Sequence, residues 1–457
     1  MKKLSVVLLL LLCVTMLFAG GSRSTSGKTT VRLGIWPADN LPQEIEMHRN
    51  FVRRYNQQYP NVEIVPAHYF YAVDTIVPLA EAGRLPTIIA PWFTEPPKLI
   101  DNAFVKDVTA EVKALGWDSK MNPTVRDLLS RGGKIYGVPR DAYALGLMLN
   151  VDLFRKAGLV DGAGLPQYPK TWEELARAAQ TIKQRTGASG LCLLAKDNAG
   201  GWHFTNIAWG FGANFIVRRG NKYIAQLNSA EAVAALQYVK DLKWTYDVLT
   251  ADPTNEDWGT GFQAIGTGRA AMYIAAGDAV QMPTEVNGLP VGDLSIVPVP
   301  AGPRAQYSLM GGTVYMFANN ATSAEVTAAL HYLEYMGKAP LTTPESLQAL
   351  SDDARSRKER GVPVINDFPS WTDTAFLVAK ENANAQFSNV DSRLYADYFA
   401  ALQRPGNLRT EEDPLVQDLY AELTKCLQAV LTDRNANPQN LLNTAQQNFQ
   451  RLLDQNY

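Results

Sequence analysis

The chain has 457 residues, a length that accommodates two to four domains. An apolar fraction of 46% and a charged fraction of 19% provide ample core material and exclude a disordered chain. The 43 lysines and arginines nearly balance 45 aspartates and glutamates, which argues against a nucleic-acid partner, and the three cysteines exclude a disulfide scaffold.

The first thirty residues are typical of an exported protein. Two lysines precede an apolar run over residues 4–18, and small residues follow it. This order predicts a signal peptide over residues 1–19, cleaved after Ala19, and a periplasmic or extracytoplasmic location. Gly20 stands where a lipoprotein carries its modified cysteine, so no lipid anchor is expected, and an uncleaved membrane anchor is the alternative. Residues 20–30, rich in glycine, serine and threonine, predict a flexible tether.

Strand and helix patterns alternate after the tether. Short apolar runs bounded by turn residues predict strands over 31–36, 62–65, 85–90, 133–139, 145–150, 191–195, 271–275, 294–299 and 313–318. Apolar residues at helical spacing fill the gaps, beginning with a stripe from Ile45 to Tyr55. The alternation predicts an α/β fold with a parallel sheet covered by helices.

Several later helices are marked by residues that favour a helix N-terminus. Thr171, with Glu174 three residues on, has the pattern of a capping box. Ser229 and Ser323 each precede a run of apolar residues at helical spacing. The last ninety residues carry only helical stripes, so we expect an all-helical C-terminal segment without a strand.

Catalytic and metal-binding motifs are missing from the sequence. There is no His-Glu-x-x-His pair for zinc and no Gly-x-Ser-x-Gly turn for a nucleophilic serine. The 45 acidic residues are enough to supply the carboxylate pair of a glycosidase, but no spacing in the sequence indicates two particular residues. The sequence therefore predicts no metal, no cofactor and no catalytic residue.

The aromatic content points to a binding site. The chain has 9 tryptophans, 19 tyrosines and 16 phenylalanines. Tryptophans at predicted strand ends or in loop-like stretches are Trp36, Trp92, Trp202, Trp258 and Trp371. Beyond the strand ends of an open sheet, such rings can lie against the C–H face of a sugar, whereas packing in a core or lid is the alternative role. Polar neighbours able to bond sugar hydroxyls are Asp39, Asn40 and Asp141.

A series of short motifs resembles a known family. The chain is similar to the bacterial extracellular solute-binding proteins of the maltose-binding type, the capture subunits of ABC importers. The resemblance covers nearly all of residues 30–457. Its motifs are Gly-Lys-Ile-Tyr-Gly-Val-Pro at 133–139, the segments 149–159 and 169–175, Gly-Arg-Ala-Ala-Met-Tyr at 268–273, and Met-Gly-Gly-Thr at 310–313.

The resemblance implies a two-lobed, type II periplasmic-binding-protein fold of the α/β class with a helical C-terminal segment. The N-terminal lobe would comprise residues 31–142 plus 312–365, and the C-terminal lobe residues 143–311 plus 366–457. A small-molecule ligand would bind between the lobes and draw them together about a hinge. The resemblance further implies a monomer without enzymatic activity that delivers its ligand to an ABC permease.

Two positions depart from the family pattern. Tyr143 falls where the family often has a ligand-binding carboxylate, and Asp141 can supply the lost acceptor. Asp278 falls where the family often has a stacking tryptophan, so maltodextrin-like specificity is not implied. The predicted ligand-binding set is Trp36, Asp39, Asn40, Trp92, Asp141, Tyr143, Trp202, His203, Trp258, Asp278, Gly312, Trp371 and Tyr420.

Carbohydrate capture, of an oligosaccharide or glycoside, is the favoured function at this point. One alternative is a charged ligand such as a polyamine, an anion or a metal, and Asp39, Asp141 and Asp278 together would hold a cation. The other is a secreted carbohydrate-active enzyme. Cys192 and Cys426 each fall in an apolar pattern that indicates a buried side chain, and the sequence leaves open whether they pair.

Overall fold

The computed structural model describes residues 27–39, 41–67, 69, 71–72, 75–220 and 222–457. The predicted signal peptide and most of the predicted tether lie outside the described residues. Thr29 and Thr30 were expected in the tether but begin the first strand, where they pair with Val62 and Glu63. No helix in these ranges combines the length and the apolar character needed to cross a membrane.

The strands come in chain order. Their bounds are β1 Thr29–Leu33, β2 Val62–Pro66, β3 Ile88–Ile89, β4 Ser130–Arg131, β5 Lys134–Ile135, β6 Gly137–Asn150, β7 Ser189–Cys192, β8 Ile216–Arg219, β9 Lys222–Ala225, β10 Ala270–Ala276, β11 Leu294–Val297, β12 Ser308–Phe317 and β13 Leu408–Thr410. All nine predicted strands overlap one of these. Strand β3 is shorter than expected, and β12 begins five residues before the predicted start.

Sixteen α-helices lie between and after the strands in the described part of the chain. Their bounds are α1 Pro42–Gln58, α2 Ile76–Glu81, α3 Pro96–Asp101, α4 Thr109–Ala114, α5 Pro123–Leu128, α6 Val151–Lys156, α7 Trp172–Thr186, α8 Asp197–Phe211, α9 Ala230–Trp244, α10 Trp258–Gly266, α11 Ser323–Tyr335, α12 Pro344–Glu359, α13 Thr374–Phe387, α14 Arg393–Leu402, α15 Val416–Thr432 and α16 Pro438–Asn456.

Two long strands join the two lobes of the fold. Over its first half β6 pairs antiparallel with β12, and over its second half it pairs antiparallel with β10 and β11. In the first lobe the strands of the sheet lie in the order β2-β1-β3-β12-β6. In the second lobe the sheet continues from β6 through β10 to β7. The expected parallel sheet is thus a mixed one, because β6 and β12 run antiparallel to each other, β12 runs antiparallel to β3, and β6 runs antiparallel to β10 and β11. The predicted two-lobed α/β fold is confirmed.

Each lobe has its own hydrophobic core. Along β12, Val314 and Met316 face one side of the first-lobe sheet, whereas Tyr315 and Phe317 face the other. This two-residue alternation lets helices cover both faces of the sheet. In the second lobe every residue of β10 is buried, because helices pack on both sides of that strand as well.

The expected N-caps are largely found. Thr171 and Ser229 each accept a hydrogen bond from the backbone three residues on, at 3.2 Å. Ser323, however, is the first residue of its helix, and the cap is Thr322, which forms a reciprocal capping box with Glu325. Thr322 takes the cap position in place of Ser323 because Glu325 stands at the third helical position after it, where its side chain can bond back to Thr322.

The C-terminal part differs from the expectation in two ways. It contains a strand, β13, which pairs with β12 at Leu408 to Thr410. Helix α13 buries Phe376 and Ala383 in the first-lobe core, whereas α14 buries Leu394 in the second-lobe core. We therefore propose that the chain returns to the second lobe between α13 and α14, later than the expected boundary at residue 366.

Candidate functional site

A cavity of about 560 Å³ lies between the two lobes. The first lobe contributes Trp92, Phe93 and Thr94, the crossing strands contribute Tyr143 and Gly312, and most of the remaining wall belongs to the second lobe. A larger hollow of about 1070 Å³ lies on the second lobe alone. Three of its charged residues already form ion pairs, namely Lys156 with Asp152 at 2.6 Å and Arg269 with Glu256 at 2.9 Å, and aromatic residues are absent from its described lining. The cleft between the lobes is therefore the better candidate site.

Two half-exposed tryptophans face this cavity from opposite lobes. Trp92 follows β3 and is 44% exposed, with its ring edge-on to Tyr71 at 5.4 Å. Trp258 opens α10 and is 42% exposed, with its ring edge-on to Phe262 at 4.7 Å. Large aromatic rings left accessible in a cleft offer flat apolar surface to a ligand.

Glycines in α8 bring two further aromatic residues to the cavity wall. A side-chain carbon on Gly201 would overlap the backbone of Tyr420, and one on Gly200 would crowd Thr424. Helices α8 and α15 can therefore approach with their backbones nearly in contact. This contact sets Trp202 on α8 beside Tyr420 on α15, and both line the cavity.

Two carboxyl groups line the cavity, and the pKa of each lies above its usual value. Restricted solvation in the cleft, followed by repulsion from Asp141 and Asp367, raises the pKa of Asp278 to about 7 although its side chain keeps contact with solvent. Burial, followed by repulsion from Glu95, raises the pKa of Glu411 to about 7. The hydroxyl of Tyr420 donates to Glu411 at 3.0 Å and opposes part of this rise.

Amide and hydroxyl groups complete the wall and connect the lobes. Asn198 donates to the side-chain oxygen of Gln417 at 2.9 Å. The Gln417 amide nitrogen in turn donates to the Thr94 hydroxyl at 3.3 Å, which joins α15 of the second lobe to the first lobe. Gln281 and Thr313 add further donors and acceptors.

The structure gathers seven of the predicted site residues in this cavity. They are Trp92, Tyr143, Trp202, Trp258, Asp278, Gly312 and Tyr420. Five others do not line it, namely Trp36, Asp39, Asp141, His203 and Trp371. Asn40 lies outside the described residues.

Two of the five are aromatic residues of the first-lobe core. Trp36 is buried, with its ring edge-on to His48 at 5.4 Å. Trp371 is 2% exposed, and its ring nitrogen donates to the Lys338 carbonyl at 3.1 Å. Packing in a core therefore explains both rings.

His203 is held inside the second lobe by two backbone groups. Its Nδ1 accepts from the Leu194 N–H at 3.1 Å, and its Nε2 donates to the Ile274 carbonyl at 2.9 Å. Burial lowers its pKa to about 4, so the ring is neutral. Both ring nitrogens are occupied, so neither is available to a ligand.

The two remaining aspartates also lie away from the cavity wall. Asp141 forms ion pairs with Lys338 and with Arg140, the latter at 3.0 Å. Burial alone would raise its pKa, but Lys338 and then Arg140 hold that pKa well below the usual range. Asp39 is exposed on the loop after β1.

The sequence reasoning missed most of the polar wall. Phe93 and Thr94 follow Trp92 directly, so the strand-end argument extends to them. Asn198, Glu411 and Gln417 lacked any such signal because helix packing, rather than local pattern, brings their segments to the cleft. Within the described residues, no group of three or more histidine, cysteine, aspartate or glutamate side chains is placed to hold a metal ion.

Cys192 and Cys426 are free thiols, and both are buried. Each side chain packs in the second-lobe core. Burial raises the pKa of Cys426 to about 12, so that thiol stays protonated. The two cysteines therefore behave as small apolar side chains in this structure.

The structure has two lobes with a candidate ligand cavity in the cleft between them. The family of bacterial extracellular solute-binding proteins has a sequence model that matches residues 42–341, and the chain belongs to that family. The fold also resembles the GacH receptor of Streptomyces glaucescens, with 18% identity, a TM-score of 0.70, and coverage of 94% of this chain and 99% of that one. MalE3 of T. maritima has 19% identity, a TM-score of 0.68, and coverage of 93% and 99%.

Curated relatives match over a shorter span. A binding protein of Brucella abortus is 27% identical over 225 residues, 49% of this chain and 51% of that protein. The arabinooligosaccharide-binding protein of Bacillus subtilis is 25% identical over 252 residues, 53% of this chain and 55% of that one. The chain thus spans about half the length of the curated relatives it matches.

The raised pKa of Asp278 predicts a pH-dependent stability. Because that pKa rises from 3.8 to about 7 on folding, the folded state keeps a proton that the unfolded chain releases. The resulting stabilisation is complete below about pH 4 and is lost as pH rises through about 7. We expect Asp278→Asn to raise the melting temperature relative to wild type at pH 8 and to leave it unchanged at pH 4.

Melting curves of the ligand-free protein across that pH range measure this difference. Glu173→Gln is the charge-matched control, because Glu173 lies on the exposed surface of α7 and outside the cavity. A difference between Asp278→Asn and wild type that is the same at both pH values would contradict the prediction.

Proposed function

We propose that this chain is the substrate-binding subunit of an ABC importer and captures a carbohydrate between its lobes. The ligand would be an oligosaccharide or a glycoside, and an ABC permease would receive it. The observation that carries the proposal is the cavity itself, where half-exposed tryptophans from both lobes meet hydroxyl, amide and carboxyl groups. Sugars present the matching combination of apolar C–H faces and hydroxyl edges.

Ligands named for several similar proteins support the same class. The GacH receptor was solved with acarbose and MalE3 with maltose. A further structural neighbour, from Arthrobacter globiformis, binds cyclic alpha-maltosyl-1,6-maltose. One curated relative is named for arabinooligosaccharides. These sugars differ in linkage and size, and another structural neighbour, UgpB of Mycobacterium tuberculosis, was solved with glycerophosphocholine. The named sugars therefore support a carbohydrate as the proposed class of ligand and identify no particular sugar.

Closure of the lobes would couple binding to delivery. Strands β6 and β12 are continuous between the lobes and would act as the hinge. A ligand in contact with both lobes favours the closed form because only that form makes every contact. Two direct links would add to closure, namely Gln417 with Thr94, and Arg360 with Glu285 at 3.0 and 2.8 Å.

A thermal-shift screen of the purified protein tests the proposal. The screen would compare neutral mono- and oligosaccharides of several linkages with polyamines and divalent metals. A ligand that binds only the folded state stabilises it, by about 2.7 kcal/mol at a concentration of 100 times its Kd. We expect a sugar to raise the melting temperature and to be recovered unchanged after prolonged incubation.

Two outcomes would contradict this function. Release of a smaller sugar, abolished by one Asp→Asn or Glu→Gln substitution, would indicate a secreted carbohydrate-active enzyme. A response to polyamines or metals without any response to sugars would indicate a binding protein for cations.

A further inference from the structure

The charges that line the cavity are all of one sign. Asp278 and Glu411 both line it, and among the described lining residues there is no lysine, arginine or histidine. A ligand that carries a carboxylate or phosphate would meet two acidic groups there and no basic group to pair with it. The cavity wall is therefore electrostatically suited to neutral or positively charged ligands.

The basic residues near Asp278 are engaged elsewhere. Lys338 and Arg140 pair with Asp141. Lys380 pairs with Asp367. In the described part of the chain, no lysine or arginine forms a salt bridge with Asp278, whose side chain remains accessible from the cleft. Closing the cleft over this carboxylate would remove water from an unpaired charge, which is unfavourable unless the ligand supplies a partner.

Glu411 and its neighbour Glu412 have different surroundings. Glu412 is fully used by the protein, since it accepts from the Trp209 ring nitrogen and from the backbone of Phe215 and Ile216, each at 2.7–2.8 Å. Glu411 accepts a hydrogen bond from the Tyr420 hydroxyl at the cavity wall. A carboxylate has two oxygens and about four acceptor positions, so one donor leaves capacity for a ligand.

The aromatic side chains of the cavity wall also favour a positively charged ligand. The face of an indole ring carries negative electrostatic potential and attracts a cation placed over it. Trp92 and Trp258 offer accessible indole surface within the same cavity as the two carboxyl groups. Ammonium groups in proteins are held by this combination of aromatic faces and carboxylates.

We propose that the cavity selects sugars that carry a protonated amino group, with Asp278 as the residue that pairs with the ammonium and determines this specificity. The proposal rests on the proposed function, because it assigns a substrate class to the same carbohydrate site. Glu411 accepts hydrogen bonds from whichever sugar is bound. Loss of the Glu411 carboxylate therefore weakens neutral and amino sugars alike, whereas loss of the Asp278 carboxylate removes the preference for the amino sugar.

Matched sugar pairs test the selection by isothermal titration calorimetry at pH 7 in low salt. The pairs are glucosamine with glucose, and the β-1,4 glucosamine disaccharide with cellobiose, which differ only in amino and hydroxyl groups. A charge-assisted hydrogen bond predicts about tenfold to a hundredfold tighter binding of the amino sugars. We expect Asp278→Asn to abolish this preference, Glu411→Gln to weaken both members of a pair, and Glu173→Gln to change neither.

The possible contrary results separate the two proposals. Equal or tighter binding of the neutral sugars by wild type overturns the amine selection and leaves carbohydrate capture intact. A preference that survives in Asp278→Asn overturns the role of Asp278. Failure of these sugars and of every sugar in the thermal screen overturns the amine selection together with the proposed function.

Discussion

Alanine at Trp92 or Trp258 is expected to weaken sugar binding by about tenfold to a hundredfold while leaving the fold intact. Each indole is more than two fifths exposed and faces the cavity, so its removal takes stacking surface from the ligand and little from the core. Truncating a tryptophan at the centre of a binding site commonly costs about 2 kcal/mol or more of binding free energy. Substitutions at exposed positions usually change stability by about 0.5 kcal/mol or less.

Trp371 provides the matched control for this prediction. It is a tryptophan of the same chain, but it is buried against Trp117 at 5.8 Å and donates a hydrogen bond to the backbone. Trp371→Ala should lower the free energy of unfolding by about 3–5 kcal/mol, the usual cost of removing a buried aromatic ring. Calorimetric titration with the sugar found in the screen, together with melting curves, measures both effects. If Trp92→Ala or Trp258→Ala melted as early as Trp371→Ala, those rings would be core residues rather than ligand contacts.

Much of the fold was predictable because its elements are specified locally. The central strands of the second lobe are short apolar runs that are buried on both faces, and the apolar pattern of the sequence predicts them directly. Thr171 and Ser229 mark helix starts through hydrogen bonds to residues only three positions away. Strand β13 was not predictable, because its three residues pair with β12 about a hundred positions earlier and carry no pattern of their own.

The site was harder to predict than the fold. Trp36 ends one predicted strand and Trp92 lies just after another, yet only Trp92 lines the cleft, because the direction of a side chain depends on packing. His203 stands next to a lining residue on α8 but points into the core, as the 100° step between helix neighbours requires. Glu411 reaches the cavity only because the C-terminal segment folds back against the cleft, and no local sequence pattern indicates that contact.

A methyl group added at Gly201 is expected to disrupt both the fold and the site. In the structure α8 and α15 touch at this glycine, and a side-chain carbon would overlap the backbone of Tyr420. Backbone atoms cannot turn aside as a flexible side chain can, so the helices must separate. Overpacking of this kind costs about 1–3 kcal/mol, although alanine is the better helix former by about 1 kcal/mol. We expect Gly201→Ala to be destabilising overall and to bind sugar more weakly, because Trp202 and Tyr420 move apart.

Gly259 supplies the control, since it lies in α10 next to Trp258. A side-chain carbon there would meet only the Asp257 carboxylate, at an ordinary contact distance of 3.5 Å. Gly259→Ala should therefore be neutral or stabilising, through the lower entropy of the unfolded chain. Urea unfolding measures the stability of both variants, and titration with the sugar measures their affinity. A Gly201→Ala protein as stable as Gly259→Ala would mean that α8 and α15 can separate without cost, and that their close approach does not position the aromatic wall.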